Sequence, residues 1–367
     1  MLRQGPAGDD LRVYGMVPAR TTTLRTKTPQ ETSFVYRAGI GLAGTHITCD
    51  ATGFPSDLIF ISHAYALGSR GPGKLAGARA GRRQILATEE TLHLLGKAGD
   101  KLRSRTLPAS FGRPFNLGEH RIEIVLSGGL PGAAGLLCET DGRRLFYLGT
   151  MSPEPLLPGL EPAGMRQADA ICVDATFGHP SLVFPPRRQV LAELRAFVQD
   201  SLAEGRTPVL LTSILGTLPA VAHDLVQAKI PVRAHARLAR ELALLHEVWS
   251  TIPAIPSTPR KPGAGEALLW PAEARDAAAL RALPAARTAL VSGSAAHPDV
   301  LARMGVDRGF PLTVLPNHEE ILAAAQMCGA GEIALYQAGA EDLAFHLRAR
   351  GFEAYPLGPP RQMTLVG

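Results

Sequence analysis

Short apolar runs separated by turn residues fill the first half of the chain. Seven of them predict β-strands: His46 to Asp50, Leu58 to Ser62, Gln84 to Ala87, Arg121 to Leu126, Gly135 to Glu139, Leu145 to Leu148 and Ala170 to Asp174. Asp141-Gly142 falls between two of these runs and predicts a hairpin turn, because Gly and Asp tolerate positive φ. From Arg187 the period changes. Gln189 to Ala203 carries apolar residues at three- and four-residue intervals and predicts a helix, Pro208 to Thr212 reads as a buried strand, and helices follow at Leu218 to Ala228 and Ala236 to Trp249. The proline-dense stretch TIPAIPSTPRKPGAGE, Thr251 to Glu266, predicts an exposed linker without regular structure. Beyond it come a strand at Ala267 to Trp270, a helix over Ala272 to Leu283 and a strand at Thr288 to Ser292. Helix, strand, helix and strand then alternate from His318 to Leu357. Such alternation implies parallel strands joined by crossover helices.

Length turns this pattern into two lobes, since 367 residues exceed the ~250–300 at which a single core stops growing. A hydrophobic content of 46% with 38 Gly and 30 Pro fits a loop-punctuated α/β globule and excludes coiled coils and disordered chains. The N-terminal MLRQGPAGDDLRVYG lacks the apolar core of a signal peptide, and no segment has the apolar length of a membrane span, so a cytoplasmic protein without membrane contact is expected. Cys49, Cys138, Cys172 and Cys328 show no CxxC spacing and lie mostly in apolar strands, which predicts buried thiols.

A net charge of +5 permits an anionic partner. Basic residues cluster at Arg79/Arg82/Arg83, Lys97/Lys101/Arg103/Arg105, Arg187/Arg188 and Arg233/Arg237/Arg240; Arg79, Arg82, Arg83, Arg187 and Arg188 are the candidate nucleic-acid contacts. For each separate cluster, an arginine-rich face that is simply solvated is the better reading. An aromatic content of 5% offers no evident platform for stacking bases.

Several separated segments carry a resemblance. They are ITCDATG (Ile47 to Gly53), FISHAYALGSR (Phe60 to Arg70), SGGLPGAAGLL (Ser127 to Leu137), FYLGT (Phe146 to Thr150), VDATFGHP (Val173 to Pro180) and the tail Val306 to Gly339. In order and spacing they resemble the landmarks of the metallo-β-lactamase fold nucleases with a β-CASP cap. That family includes ligase-associated DNA exonucleases, Artemis-like repair nucleases and the pre-mRNA 3′-end endonuclease. The resemblance spans roughly Thr45 to Leu357. It implies an αββα sandwich with an inserted α/β cap: residues 1–188 and 293–367 as the two parts of the sandwich domain, and 189–292 as the cap.

Zinc is the cofactor this resemblance implies, held by imidazoles and carboxylates that turn a bridging water into hydroxide. The donors are missing here. FISHAYALGSR stands where the family reads [ST]-H-x-H-x-D-H: His63 remains, while Tyr65, Leu67 and Gly68 occupy the other ligand places. Leu130 or Pro131 stands for the next His, Thr150 for the bridging Asp and Ala338 for the late His. Asp50, His63, Asp174 and His318 are the retained polar positions; with Tyr65 and Thr150 they define a vestigial pocket with no catalytic or metal-binding assignment. Each retained group also has a structural reading. Asp50 and Asp174 suit loop capping, His63 a backbone-bonded imidazole, and His318 with Glu319 and Glu320 a helix start after Asn317.

No cofactor is therefore expected, and the leading reading is a pseudo-nuclease. It would be a subunit or nucleic-acid-binding scaffold of a DNA repair or RNA processing complex, beside an active β-CASP nuclease, a DNA ligase or a helicase, with DNA or RNA as partner. The alternative is an active metal-dependent exonuclease or hydrolase whose site is rebuilt from His63, Asp174 and His318. A third is a protein-binding module.

Overall fold

The computed structural model describes residues 32–52, 56–68, 71–77, 83–107, 109–258, 265–275, 278–283 and 285–359; Arg79 and Arg82 lie outside them. The chain divides into two units, Met1–Thr32 and Ser33–Gly367, and every described element lies in the second. The fold is mixed α/β, with three sheets among the described residues.

The first sheet runs in chain order: β1 (Phe34–Tyr36), β2 (Ile40–Leu42), β3 (Ile47–Cys49), β4 (Leu58–Phe60), β5 (Gln84–Leu86) and β6 (Thr106–Leu107). β1 to β3 form an antiparallel meander, and β3 to β6 are parallel. Parallel neighbours need crossovers. Six-residue helices lie in two of them: α1 (Gly71–Ala76) between β4 and β5, and α2 (Glu89–Leu94) with α3 (Lys97–Leu102) between β5 and β6.

The second sheet begins with an antiparallel run of β7 (Phe115–Leu117), β8 (His120–Leu126), β9 (Ala134–Thr140) and β10 (Arg143–Tyr147), to which β11 (Ala170–Asp174) adds in parallel. Between β9 and β10, Asp141 and Gly142 have φ of 48° and 71°. Positive φ at both central residues matches the right-handed strand twist, which is why this dipeptide closes the hairpin.

The chain then builds an all-parallel sheet with its own helices: α4 (Arg187–Ala203), β12 (Thr207–Thr212), α5 (Thr217–Gln227), β13 (Val232–Ala234), α6 (Ala236–Val248), β14 (Ala267–Pro271), α7 (Ala278–Arg281), β15 (Ala286–Val291), α8 (Pro298–Met304) and β16 (Arg308–Phe310). Its strand order is β13-β14-β12-β15-β16, so its last strand lies beyond residue 292. Finally α9 (His318–Cys328), β17 (Glu332–Tyr336), α10 (Ala340–Ala349) and β18 (Glu353–Leu357) return to the second sheet, with β17 beside β11.

Burial shows how the layers stack. Phe34, Leu42, Cys49 and Phe60 of the first sheet share one core with Ile124, Leu136, Tyr147 and Cys172 of the second, so these two sheets pack face to face. Leu75, Leu92 and Leu102 cover the outer face of the first sheet, and α9 and α10 cover that of the second through Ile321, Leu322, Leu343 and Leu347. The five-stranded sheet has α4, α5 and α6 on one face and α7 and α8 on the other.

The strand-rich first half also contains the short helices α1 to α3. Two expectations need correction. The helix expected over Ala272 to Leu283 is a 3-10 turn at Ala272–Ala274 followed by the four-residue α7. The expected exposed linker is partly core: Ile252 and Ile255 are buried among the α4–α6 side chains, and Ser257 bridges to Ala234 beside β13. Apolar residues between the prolines explain this, since burying an isoleucine contributes roughly 1.5–3 kcal/mol. All four cysteines are free and buried. Among the described residues no helix is long and apolar enough to cross a membrane.

Candidate functional site

The retained polar residues sit at strand ends. β3 ends at Cys49, and Asp50 follows in a left-handed conformation, φ 53°. Its carboxylate accepts from the Ser62 N–H at 2.8 Å, the Ser62 hydroxyl at 2.6 Å and the Tyr147 hydroxyl at 2.7 Å. Those three donors fix the turn and join the two facing sheets. Tyr147 in turn meets the Tyr336 hydroxyl at 3.1 Å, and Tyr336 stands opposite Asp174 in the β17–β11 register. Burial pushes the Asp50 carboxyl above the usual range, while its bonds from Ser62 and Tyr147 act the other way. Asp174 is raised for the same reason and opposed by the Thr176 N–H, which it accepts at 2.8 Å. Burial, with a carboxylate nearby in each case, keeps both tyrosines protonated.

His63 lies one residue beyond Ser62 and is buried. Its Nδ1 accepts the Tyr65 N–H at 3.2 Å, a main-chain use that leaves the other nitrogen as N–H in the neutral ring. Desolvation depresses its pKa to about 4. Tyr65 itself points toward the five-stranded layer: its ring packs on the α4–α6 cluster and its hydroxyl donates to Glu241 of α6 at 3.3 Å. His93 of α2 likewise pairs with Glu247 of α6 at 2.9 Å. Leu67 joins the apolar cluster outside the first sheet, and Gly68 adopts φ 63° in the turn.

Thr150 is 4% exposed, and its hydroxyl lies 3.3 Å from that of Ser127. Leu130 is buried and Ala338 exposed. His318 opens α9, where Asn317 and Glu320 form a reciprocal capping box. Its Nδ1 bonds the Gly178 carbonyl at 3.0 Å, and its Nε2 meets Arg350 Nη1 at 2.8 Å. Because arginine only donates, Nε2 accepts and Nδ1 carries the proton. Both ring nitrogens are thereby committed.

A zinc centre does not fit these residues. It needs at least three converging N, O or S donors. Leu67, Gly68 and Leu130 have none, and Tyr65 and Thr150 direct theirs to Glu241 and Ser127. Among the described residues no group of three or more His, Cys, Asp or Glu side chains is placed to hold a metal ion, so the rebuilt site from His63, Asp174 and His318 gains no support. The structure brings Asp50 into one hydrogen-bonded chain with Tyr147 and Tyr336, facing Asp174. Tyr65 and His318 it directs elsewhere.

Among the described basic candidates, Arg187 is engaged. Arg187 is 12% exposed; it binds Glu320 at 2.7 Å and the Thr313 carbonyl at 3.2 Å, with Glu154 at 3.4 Å. Arg83 leads into β5, and Arg188 is exposed at the start of α4. Arg103 pairs with Glu89, Arg233 with Glu266 and Arg237 with Glu273. Local sequence gave no sign of Tyr147, Tyr336, Glu241 or Arg350 as partners, since each pairing joins segments far apart in the chain.

No family model matches the chain. It is similar to a protein of Opitutus terrae described as a probable DNA ligase: 26% identical over 317 residues, which are 85% of this chain and 30% of that protein. The chain thus spans under a third of the length of the relative it matches.

Proposed function

We propose that this chain is a metallo-β-lactamase/β-CASP fold that has lost its metal centre, and that it works as a non-catalytic subunit beside a DNA ligase. The observation that carries the reading is what the implied ligand positions do instead. Tyr65 packs toward α6, Leu67 packs against the apolar cluster outside the first sheet and Thr150 bonds Ser127. These are stable structural uses, incompatible with donors converging on a cation. Two face-to-face sheets with helices outside, followed by a separate parallel sheet, are consistent with the family's sandwich and cap.

The partner is inferred from the relative. A chain that resembles under a third of a protein named for DNA ligation leaves most of that protein to supply the joining activity. By analogy with that relative, this chain would work together with a DNA-joining activity. DNA is accordingly the favoured nucleic acid. With Arg187 engaged by two carboxylates, DNA contact would depend on the remaining basic residues.

The test is affinity purification of the tagged full chain from its native cells. A DNA ligase recovered in near-equal amount is the expected result. Recovery of the chain alone, with nuclease activity of its own, would overturn the reading.

A further inference from the structure

In an open parallel sheet, ligands bind outside the carboxyl ends of the strands, where neighbouring connections leave in opposite directions. The order β13-β14-β12-β15-β16 puts that switch point between β12 and β15. From β12 the chain crosses through α5 to β13 on one side; from β15 it crosses through α8 to β16 on the other. Thr212 and Val291 end the two strands in register, and Ser213 and Ser292 follow. The loops beyond contain Gly216, at φ 80°, and Gly293.

Neither glycine faces open space. A Cβ added at Gly293 would lie 2.4 Å from the Phe177 ring, and one at Gly216 would lie 2.3 Å from Val314 Cγ1. Phe177 comes from the segment after β11 of the second sheet, and Val314 from the segment returning to it. Both side chains are buried. Their supports are tied together, since Phe177 forms a parallel bridge with Asn317. Phe184 stands edge-on to Phe177 with ring centres 5.7 Å apart. Arg187 fastens the same junction through Thr313 and Glu320. The pocket left beside it measures ≈ 270 Å³, and Glu154 and Glu320 outnumber its single cation, Arg187. That is below the ~300–1,000 Å³ of sites that enclose a small ligand.

We propose that Phe177 and Val314 form an intramolecular plug. Seated in the Gly293 and Gly216 sockets, they close the ligand edge of the five-stranded sheet and hold that layer against the paired sheets. A ligand of that edge gains entry only if the plug is withdrawn. The inference rests on strand order and packing, and holds whether or not a DNA ligase is the partner.

Hydrogen exchange of the full chain, read by mass spectrometry, tests it with Phe177→Ala and Val314→Ala. A plug acting as a unit predicts cross-effects. Val314→Ala should speed exchange at residues 292–296, the other residue's socket, at least tenfold. Phe177→Ala should do the same at residues 213–218. The central strands β8 and β9 should stay protected in both variants, and Phe345→Ala, at an exposed position, should change neither segment. Effects confined to each residue's own socket, or no effect in a folded variant, would overturn the plug. If Phe177→Ala does not fold, Val314→Ala, the smaller deletion, decides through residues 292–296.

Discussion

His63 offers a quantitative test of what became of the old site. It is 7% exposed, accepts a main-chain N–H at Nδ1, and has its pKa lowered by burial from the ordinary 6.5 to about 4. Between these values the unfolded chain takes up a proton that the folded chain refuses. The stabilisation from a neutral His63 is therefore complete above about pH 6.5 and is lost as pH falls toward 4. The full shift corresponds to roughly 3 kcal/mol, of which about 2 kcal/mol is lost between pH 7 and pH 5. His63→Asn keeps an acceptor for Tyr65 N–H and removes the titration. Urea unfolding of both proteins at pH 7 and pH 5 isolates the effect, because the other titrating groups are common to both. The wild type should lose about 2 kcal/mol more than the variant over that interval. Equal losses, or an NMR titration of the His63 ring near 6.5, would refute the reasoning.

Other perturbations test separate joints. Glu332, 2% exposed, accepts from the Ser33 N–H and hydroxyl, the Tyr355 hydroxyl and Arg143; burial alone would raise its pKa, but these bonds lower it overall. Glu332→Ala should cost about 3 kcal/mol in denaturant unfolding at neutral pH. That cost should shrink in acid, because a depressed carboxyl stabilises above its unfolded value and loses the contribution as pH falls through the folded one. Tyr65→Phe should cost only about 0.5–1.5 kcal/mol through the Glu241 bond, whereas Tyr65→Ala should cost about 3 kcal/mol because the ring packs on the α6 layer; both are read by thermal melting. Arg187→Ala should lower stability by about 2–4 kcal/mol and leave DNA retention in a gel-shift assay unchanged, since the side chain is held by Glu320 and Thr313.

Much of the framework was legible because local rules acted alone. The run Ala170–Asp174 is wholly buried and was readable as a strand to the residue. Asp141-Gly142 announced its hairpin through φ chemistry, and Asn317 with Glu320 announced the start of α9 through capping. What escaped notice had no local signature. α1 and α3 span six residues each and contain glycine, too short for a 3.6-residue period to emerge. Ile252 and Ile255 are held by tertiary packing in a stretch whose prolines suggested exposure. At the site, the sequence indicated which donors were missing but not what replaced their role. Tyr65 reaches a residue 176 positions away, and His318 an arginine 32 positions on. Phe177 and Val314 become meaningful only once the strand order is known.

The most direct measurement is the metal content and nuclease activity of the purified full-length chain, by elemental mass spectrometry and by cleavage of labelled single- and double-stranded DNA with added zinc or manganese. We expect well below one zinc per chain and no cleavage, with His63→Asn indistinguishable from the wild type in both. One to two zinc ions per chain, with cleavage that His63→Asn abolishes, would contradict the loss of the metal centre.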